Sequence, residues 1–306
     1  MRIVSFLPSA TEMLYALGAG EMVAAVSHEC DYPAEAQRKP IVSRARFDQT
    51  QLDSAAIDTR VRETLARGEG LYTIDLEVLK QANPDLLITQ ELCDVCAVTG
   101  TDLTTALAAT GLAPEVLTLT PKDLAGIFGN IRQVGGAIGL RERAERLVAE
   151  LTARVERVAA VARTVESRPT VLVLEWLDPP YAGGHWVPEL AAMAGGVDPL
   201  GRAGQPSARV SWEQLAAAAP EIVVVTACGL GVARTLREMP RLAQQPGWHD
   251  LPAVRHDRVY VTDGSAYFSR PGPRVVDGLE ILAHVLHPAQ FPARYPASVL
   301  AHVPCA

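Results

Sequence analysis

No run of about 18 uncharged apolar residues occurs in this 306-residue chain, so no segment reads as a transmembrane helix. Basic residues do not dominate either: 28 Lys and Arg stand against 35 Asp and Glu, for a net charge of −7. Nucleic-acid binding calls for a basic stripe, and a chain with a pI near 5.6 does not supply one. Cysteines are few and odd in number, five in all, which argues against a disulfide framework and suits reduced thiols. The opening MRIVSFLPSATEM lacks a secretory signal's basic start and long apolar stretch, because Pro8 and Glu12 interrupt it. As encoded, the chain is expected in the cytoplasm; a periplasmic or other extracytoplasmic site is the alternative if the true N-terminus differs. Motifs for hydrolases, P-loop nucleotide binding and zincin metal sites (GxSxG, GxxxxGK[ST], HExxH) are all missing. Gly183-Gly184-His185 and Gly195-Gly196 do not match a dinucleotide fingerprint.

What is present is ordinary globular material, 48% hydrophobic and 21% charged, long enough for two domains or one large one. Short apolar runs alternate with helical stretches. Strands are expected at Ile3–Phe6, Val23–Val26, Leu86–Thr89, Val116–Leu119, Val171–Glu175, Ile222–Thr226 and Val259–Thr262. Several runs are continuous rather than alternating, as in strands covered on both faces. Helices between them argue for an α/β fold with mostly parallel sheets. Ser9 and Glu12 have capping-box spacing, with Gly18 suited to the far end of that helix. Thr120-Pro121 predicts another helix start, despite Gly126, Gly129, Gly135 and Gly136 downstream. Leu140 to Ser167 predicts one long helix of about 40 Å, ended by Arg168-Pro169. The histidines His249, His256, His284 and His287 read as solvated or helix-capping.

The chain also repeats itself. Asp75-Leu-Glu-Val-Leu-Lys-Gln-Ala-Asn-Pro-Asp-Leu-Leu-Ile matches Ser211-Trp-Glu-Gln-Leu-Ala-Ala-Ala-Ala-Pro-Glu-Ile-Val-Val. Each copy has an N-cap residue (Asp75, Ser211), a glutamate at the second helical position (Glu77, Glu213), then Leu, Pro, an acid and a strand. This predicts two α/β lobes with central, mostly parallel sheets, about 1–120 and 168–306, joined by the long helix within 121–167. Segment 44–70 has no counterpart and reads as a helical insertion.

All four tryptophans (Trp176, Trp186, Trp212, Trp248) lie in the second half. In open α/β sheets ligands bind outside the carboxyl ends of strands. Trp176, Tyr181, Trp186, Tyr267 and Phe268 fall at such ends and are candidate ligand contacts, with His185 beside them; Trp248 reads as core. Cys93 and Cys96 form a single CxxC in the loop after Leu86–Thr89, and His28 and Cys30 are the only plausible complement for a metal or redox site. The favoured reading is two structural thiols in a binding loop, with no metal. Gln90 and Glu91 beside them offer hydrogen bonds to amides.

Ile3-Val-Ser-Phe-Leu-Pro-Ser-Ala-Thr-Glu-Met-Leu-Tyr-Ala-Leu-Gly, Cys30-Asp-Tyr-Pro, Asn83-Pro-Asp-Leu-Leu-Ile, Arg209-Val-Ser-Trp-Glu-Gln-Leu and Leu251-Pro-Ala-Val-Arg together resemble the cobalamin-binding proteins of ABC importers. These belong to the helical-backbone class of periplasmic binding proteins, alongside siderophore and haem binders. The resemblance implies two α/β lobes joined by one long helix, a corrinoid in the cleft between them, and no enzymatic activity or catalytic cofactor. It implies that Glu77 and Glu213 dock on a permease. It places Trp176 and Tyr181 against the corrin ring, puts Glu29 and Gln90 where the family carries first-lobe aromatics, and puts a family tryptophan near Ser207. Ligand-binding candidates are therefore Glu29, Gln90, Glu91, Cys93, Trp176, Tyr181, His185, Trp186, Arg209, Tyr267 and Phe268. A monomer is expected that binds cobalamin, contacts an ABC permease and is not membrane-embedded. The alternatives are a haem, siderophore or metal-chelate binder of the same fold, with Arg202, Arg209 and Arg270 as anion partners, or a metalloprotein or thiol enzyme using Cys93 and Cys96.

Overall fold

The computed structural model describes residues 1–90, 98 and 100–305, so Glu91, Cys93 and Cys96 lie outside the described residues. The chain divides into two compact units. One comprises Met1–Leu52, Thr59–Pro121 and Ala125–Ala149; the other comprises Asp53–Asp58, Lys122–Leu124 and Glu150–Ala306.

The first part of the chain forms β1 (Ile3–Ser5), α1 (Pro8–Ala16), β2 (Val23–Ser27), β3 (Ile41–Ala45), α2 (Ser54–Ala66), β4 (Tyr72–Ile74), α3 (Leu76–Ala82), β5 (Leu86–Gln90), α4 (Gly100–Thr110), β6 (Glu115–Leu119), α5 (Leu124–Ala137) and α6 (Arg141–Ala162), all in the first unit except the starts of α2 and α5 and the second half of α6. Its six strands run in the order β4-β3-β2-β1-β5-β6. All pairings are parallel except β3 with β4. β1 sits between two neighbours and is buried throughout, which is why its sequence is continuously apolar rather than alternating.

Three helix boundaries differ from the sequence expectation. Ser9 and Glu12 form no capping box: α1 starts at Pro8, Leu7 takes the N-cap position without a side-chain bond, and both residues are buried inside the helix. Proline at the first position makes the cap less necessary, since it lacks one of the orphan N–H groups. α5 begins at Leu124 rather than just after Thr120-Pro121, and the Leu124 N–H donates to the Glu189 carboxylate at 2.9 Å. A residue remote in sequence thus accepts one of its first N–H groups. The long helix ends at Ala162, before Ser167, and Thr164 turns its hydroxyl back to the Val161 carbonyl. One of the α5 glycines has a packing reason: a Cβ on Gly135 would lie 2.4 Å from that of Ala144, so the two helices meet at backbone distance there.

The second unit adds β7 (Val171–Leu177), β8 (Pro180–Ala182), β9 (Gly184–His185), α7 (Val187–Met193), β10 (Arg202–Ala203), β11 (Ala208–Arg209), α8 (Trp212–Ala218), β12 (Ile222–Val225), α9 (Val232–Ala243), α10 (Pro252–Arg255), β13 (Val259–Thr262), α11 (Gly264–Tyr267), α12 (Val275–Leu286) and β14 (Leu300–His302). Its main sheet runs β11-β8-β7-β12-β13-β14, and β9 pairs with β10 separately. β7, β12 and β13 are parallel, while β8, β11 and β14 join antiparallel. The parallel core strands are again almost wholly apolar, and Leu172, Leu174, Val223, Val225, Val259 and Val261 share one core cluster with Trp248. The second half of α6 is tied to α12 by Arg154, which donates to Glu280 at 2.7 Å and to Asp277 at 2.6 Å.

The repeated segments occupy equivalent places in their own sheets. Asp75 caps α3 by accepting from the Glu77 and Val78 N–H groups; Ser211 caps α8 within a capping box with Gln214. Both helices end in a left-handed residue, Asn83 and Ala219, before proline and the next strand. That strand lies between β1 and β6 in one sheet and between β7 and β13 in the other.

Candidate functional site

The second unit brings three of the described candidates, Trp176, Tyr181 and Arg209, together at one edge of its sheet. Because β7, β12 and β13 run parallel, their carboxyl ends lie together. Trp176 is not past the strand, as its sequence position suggested, but within β7, because the antiparallel turn to β8 extends that strand to Leu177. Trp176 stands opposite Tyr181, and Tyr181 opposite Arg209, so the three side chains form one row across β7, β8 and β11. Directly opposed residues of antiparallel strands share a face of the sheet. Trp176 and Tyr181 are half-buried and Arg209 is exposed. Tyr267, also half-buried, follows β13 on α11, and the Arg274 guanidinium lies 5.8 Å from its ring centre.

A bulge at Glu175 sets this edge. Leu174 pairs with Ala182 and Trp176 with Tyr181, so Glu175 is the extra residue on its strand. Bulges re-aim side chains beside sites. Here the carboxylate turns to accept the Gly184 N–H at 3.0 Å and the Ser207 hydroxyl. The Glu175 carbonyl accepts the Cys228 N–H at 3.0 Å, which ties β7 to the loop after β12. Neither Glu175 nor its role was anticipated from sequence; the one signal was an acid inside an otherwise apolar run. Ser207 is committed to this carboxylate.

Two predicted contacts belong to the interior. Phe268 is 1% exposed, and Trp186 is 4% exposed, with its indole N–H donated to the Phe268 carbonyl at 2.8 Å. Both are packing residues, because a satisfied, enclosed ring offers no surface. His185 is partly buried in β9, with φ +49°, and its imidazole centre lies 5.6 Å from the Trp186 ring centre. Burial, then the charge of Lys122, lowers its pKa, which favours the neutral imidazole. Arg202 is exposed on β10, whereas Arg270 is buried, so the arginines named for an anionic chelate do not share one environment. His287 is buried at the end of α12 with Nε2 3.2 Å from the Gly195 carbonyl oxygen, so it caps rather than meets solvent.

In the first unit, Gln90 is the buried last residue of β5, paired with Leu119. Glu29 follows β2; its N–H is accepted by Ser27 Oγ, and its carboxylate is 3.4 Å from His28 Nε2. His28 Nδ1 lies 3.1 Å from the Ser43 carbonyl oxygen, and Cys30 is buried against the Thr11 and Ser27 hydroxyls. Among the described residues, no group of three His, Cys, Asp or Glu is placed to share a metal. Glu77 and Glu213 are both exposed on the first turns of their helices. Lys80 pairs with Glu77 at 3.5 Å, and the Ser211 side chain holds the Glu213 carboxyl below the usual range. Glu213 and Arg209 also border a cavity of about 520 Å³ with Asp178, Trp212 and Gln245.

Comparison with known proteins identifies the family of this chain. The periplasmic binding protein family matches residues 3–266, and the chain belongs to that family. It is thus a solute-binding protein of the ABC-importer type, and the family is not one of enzymes. Among its relatives, the vitamin B12-binding protein of Vibrio cholerae is 23% identical, covering 94% of this chain and 90% of its own. An uncharacterized ABC transporter substrate-binding lipoprotein of Bacillus subtilis, YvrC, is 24% identical over 95% of this chain and 81% of its own. Among solved structures, the periplasmic heme-binding protein RhuT of Roseiflexus matches with a TM-score of 0.71 and 26% identity, covering 94% of this chain and 98% of its own. No helix among the described residues is long and apolar enough to cross a membrane.

Proposed function

We propose that the protein binds a corrinoid, cobalamin or cobinamide, non-covalently and without catalysis, as the substrate-binding component of an ABC importer or a homologue of one. The observation that carries this reading is the row Trp176, Tyr181 and Arg209 across β7, β8 and β11, with the half-buried Tyr267 following the carboxyl end of β13. A corrin is large, flat on its apolar faces and fringed with amides. Half-buried aromatic rings supply contact area, while Arg209 and the phenol hydroxyls supply polar partners for the fringe. The 23% identity to a vitamin B12-binding protein supports the same ligand class. Glu77 and Glu213, at matching positions of the two repeats, are proposed to dock on a permease. Glu77→Gln with Glu213→Gln should leave ligand affinity unchanged while abolishing uptake.

The second reading is haem. The neutral imidazole of His185 favours it, since an uncharged ring nitrogen is what an iron centre takes, as does the likeness to a heme-binding protein. One experiment separates the two: calorimetric titration of purified protein with cyanocobalamin, cobinamide and haemin. Saturable binding of either corrinoid with weak or absent haemin binding is expected. Binding of haemin alone would replace the corrinoid reading, and binding of none would remove both.

A further inference from the structure

Residues 53–58 belong to the second unit although the chain on either side of them belongs to the first. A dense set of polar contacts holds them there. Glu238 on α9, 7% exposed at its side chain, accepts both the N–H and the hydroxyl of Ser54 at 3.2 Å. The same carboxylate pairs with Arg234 at 3.1 Å and Arg241 at 3.2 Å. Arg241 also reaches Asp53, and Asp178 at 3.3 Å. Asp53 in turn caps α2 by accepting the Ala56 N–H at 2.8 Å. The carbonyl of Ser54 then accepts the indole N–H of Trp176 at 3.1 Å.

We infer that Glu238 and Arg241 form a latch that pins residues 53–58 on the second unit and, through the Ser54 carbonyl, sets the orientation of the Trp176 ring. A carboxylate this enclosed is costly to bury unless it is paired and hydrogen-bonded, and here two arginines and two Ser54 donors satisfy it. Removing any partner therefore weakens the whole node rather than one contact. An indole fixed by its N–H turns on one bond less freely than a ring held only by packing, so the latch pre-organises the aromatic edge. Glu238 and Arg241 are positioning residues, and neither is assigned a contact with ligand. Their effect on affinity rests on the ligand site proposed above; the latch itself does not.

The test compares the full chain with Arg241→Ala and Glu238→Gln. Arg241 is partly exposed, so its variant is expected to fold even if the buried Glu238→Gln does not. Hydrogen exchange across residues 50–60 should speed up by about tenfold or more in the variants, the size expected for losing hydrogen bonds to a charged group. The emission of Trp176, isolated by subtracting a Trp176→Phe counterpart of each protein, should shift as its indole N–H is freed. Cyanocobalamin affinity should fall several-fold in step. Unchanged exchange in folded Arg241→Ala overturns the latch. Faster exchange with unchanged Trp176 emission overturns the positioning role. If the parent protein binds no corrinoid, the ligand reading fails while exchange and emission still decide the latch.

Discussion

Gly184→Ala should loosen the strap of residues 202–207 that closes over β9. A Cβ at this position would stand 2.2 Å from the Ser207 nitrogen, 2.6 Å from its Cα and 2.7 Å from the Gln205 carbonyl oxygen. All three are backbone atoms, so no side-chain rotation relieves the overlap and the strap itself must move. Its moorings are Arg202 N–H to Gly183 O at 3.0 Å, His185 N–H to Gln205 O at 2.6 Å and Gly204 N–H to His185 O at 2.8 Å. One more runs from Ser207 Oγ to the Glu175 carboxylate, which also accepts the Gly184 N–H of β9. Neutral bonds contribute about 1 kcal/mol each and those to a carboxylate about 1.5–3, which sets a ceiling. Water replaces some partners on this partly exposed segment, leaving an expected loss of about 2–4 kcal/mol. Urea denaturation should show a lowered midpoint at constant slope, and proteolysis should cut faster within 202–209. Gly204→Ala is the control: it has φ +70° and open space around its Cβ, so only backbone strain of about 1–2 kcal/mol applies. A Gly184→Ala protein within about 0.5 kcal/mol of the parent would refute the steric argument.

Further outcomes follow from the same structure. Trp176→Ala or Tyr267→Ala should weaken corrinoid binding by about 1–3 kcal/mol with the fold intact, and unchanged affinity in both would remove these residues from the site. Phe268→Ala should instead cost about 3–5 kcal/mol of stability, read by thermal or urea unfolding, because its ring is wholly enclosed. Asp198 is pushed up to about 6, chiefly by burial, against the opposing hydrogen bonds from Gly201 and Leu200. The folded state then holds its proton where the unfolded chain has released it, so stability falls as pH rises from about 4 to about 6 and stays lowered above that. The size is about 2–3 kcal/mol, and unfolding free energies measured across this window should lose that slope in Asp198→Asn. An identical pH profile for both proteins would show that Asp198 titrates normally.

Much of the architecture was legible in the residues themselves. Continuous apolar runs marked β1, β5, β7, β12 and β13, since a strand covered on both faces admits nothing else. The Asp75 and Ser211 caps, with Pro84 and Pro220 beyond, marked the repeated helices because local backbone chemistry sets those ends. Tertiary context decided the rest. The start of α5 engages the Glu189 carboxylate, far along the chain, a contact that no local signal could place. Short strands such as β8, β9 and β11 exist only through pairing with partners, and the bulge at Glu175 exists only in that pairing. Aromatic content by itself identified candidate rings but not their fate. Trp186 and Phe268 bonded to each other in the interior, while Trp176 and Tyr181 aligned on a shared face, because burial is set by what packs against a residue rather than by the residue. The sequence alone thus determined which segments become strands and helices and where aromatic contact area is available. Only the tertiary structure decided which of those rings remain at the surface, and that Ser54, Glu238 and Arg241 would meet, since a charge network between residues this distant is created by folding itself.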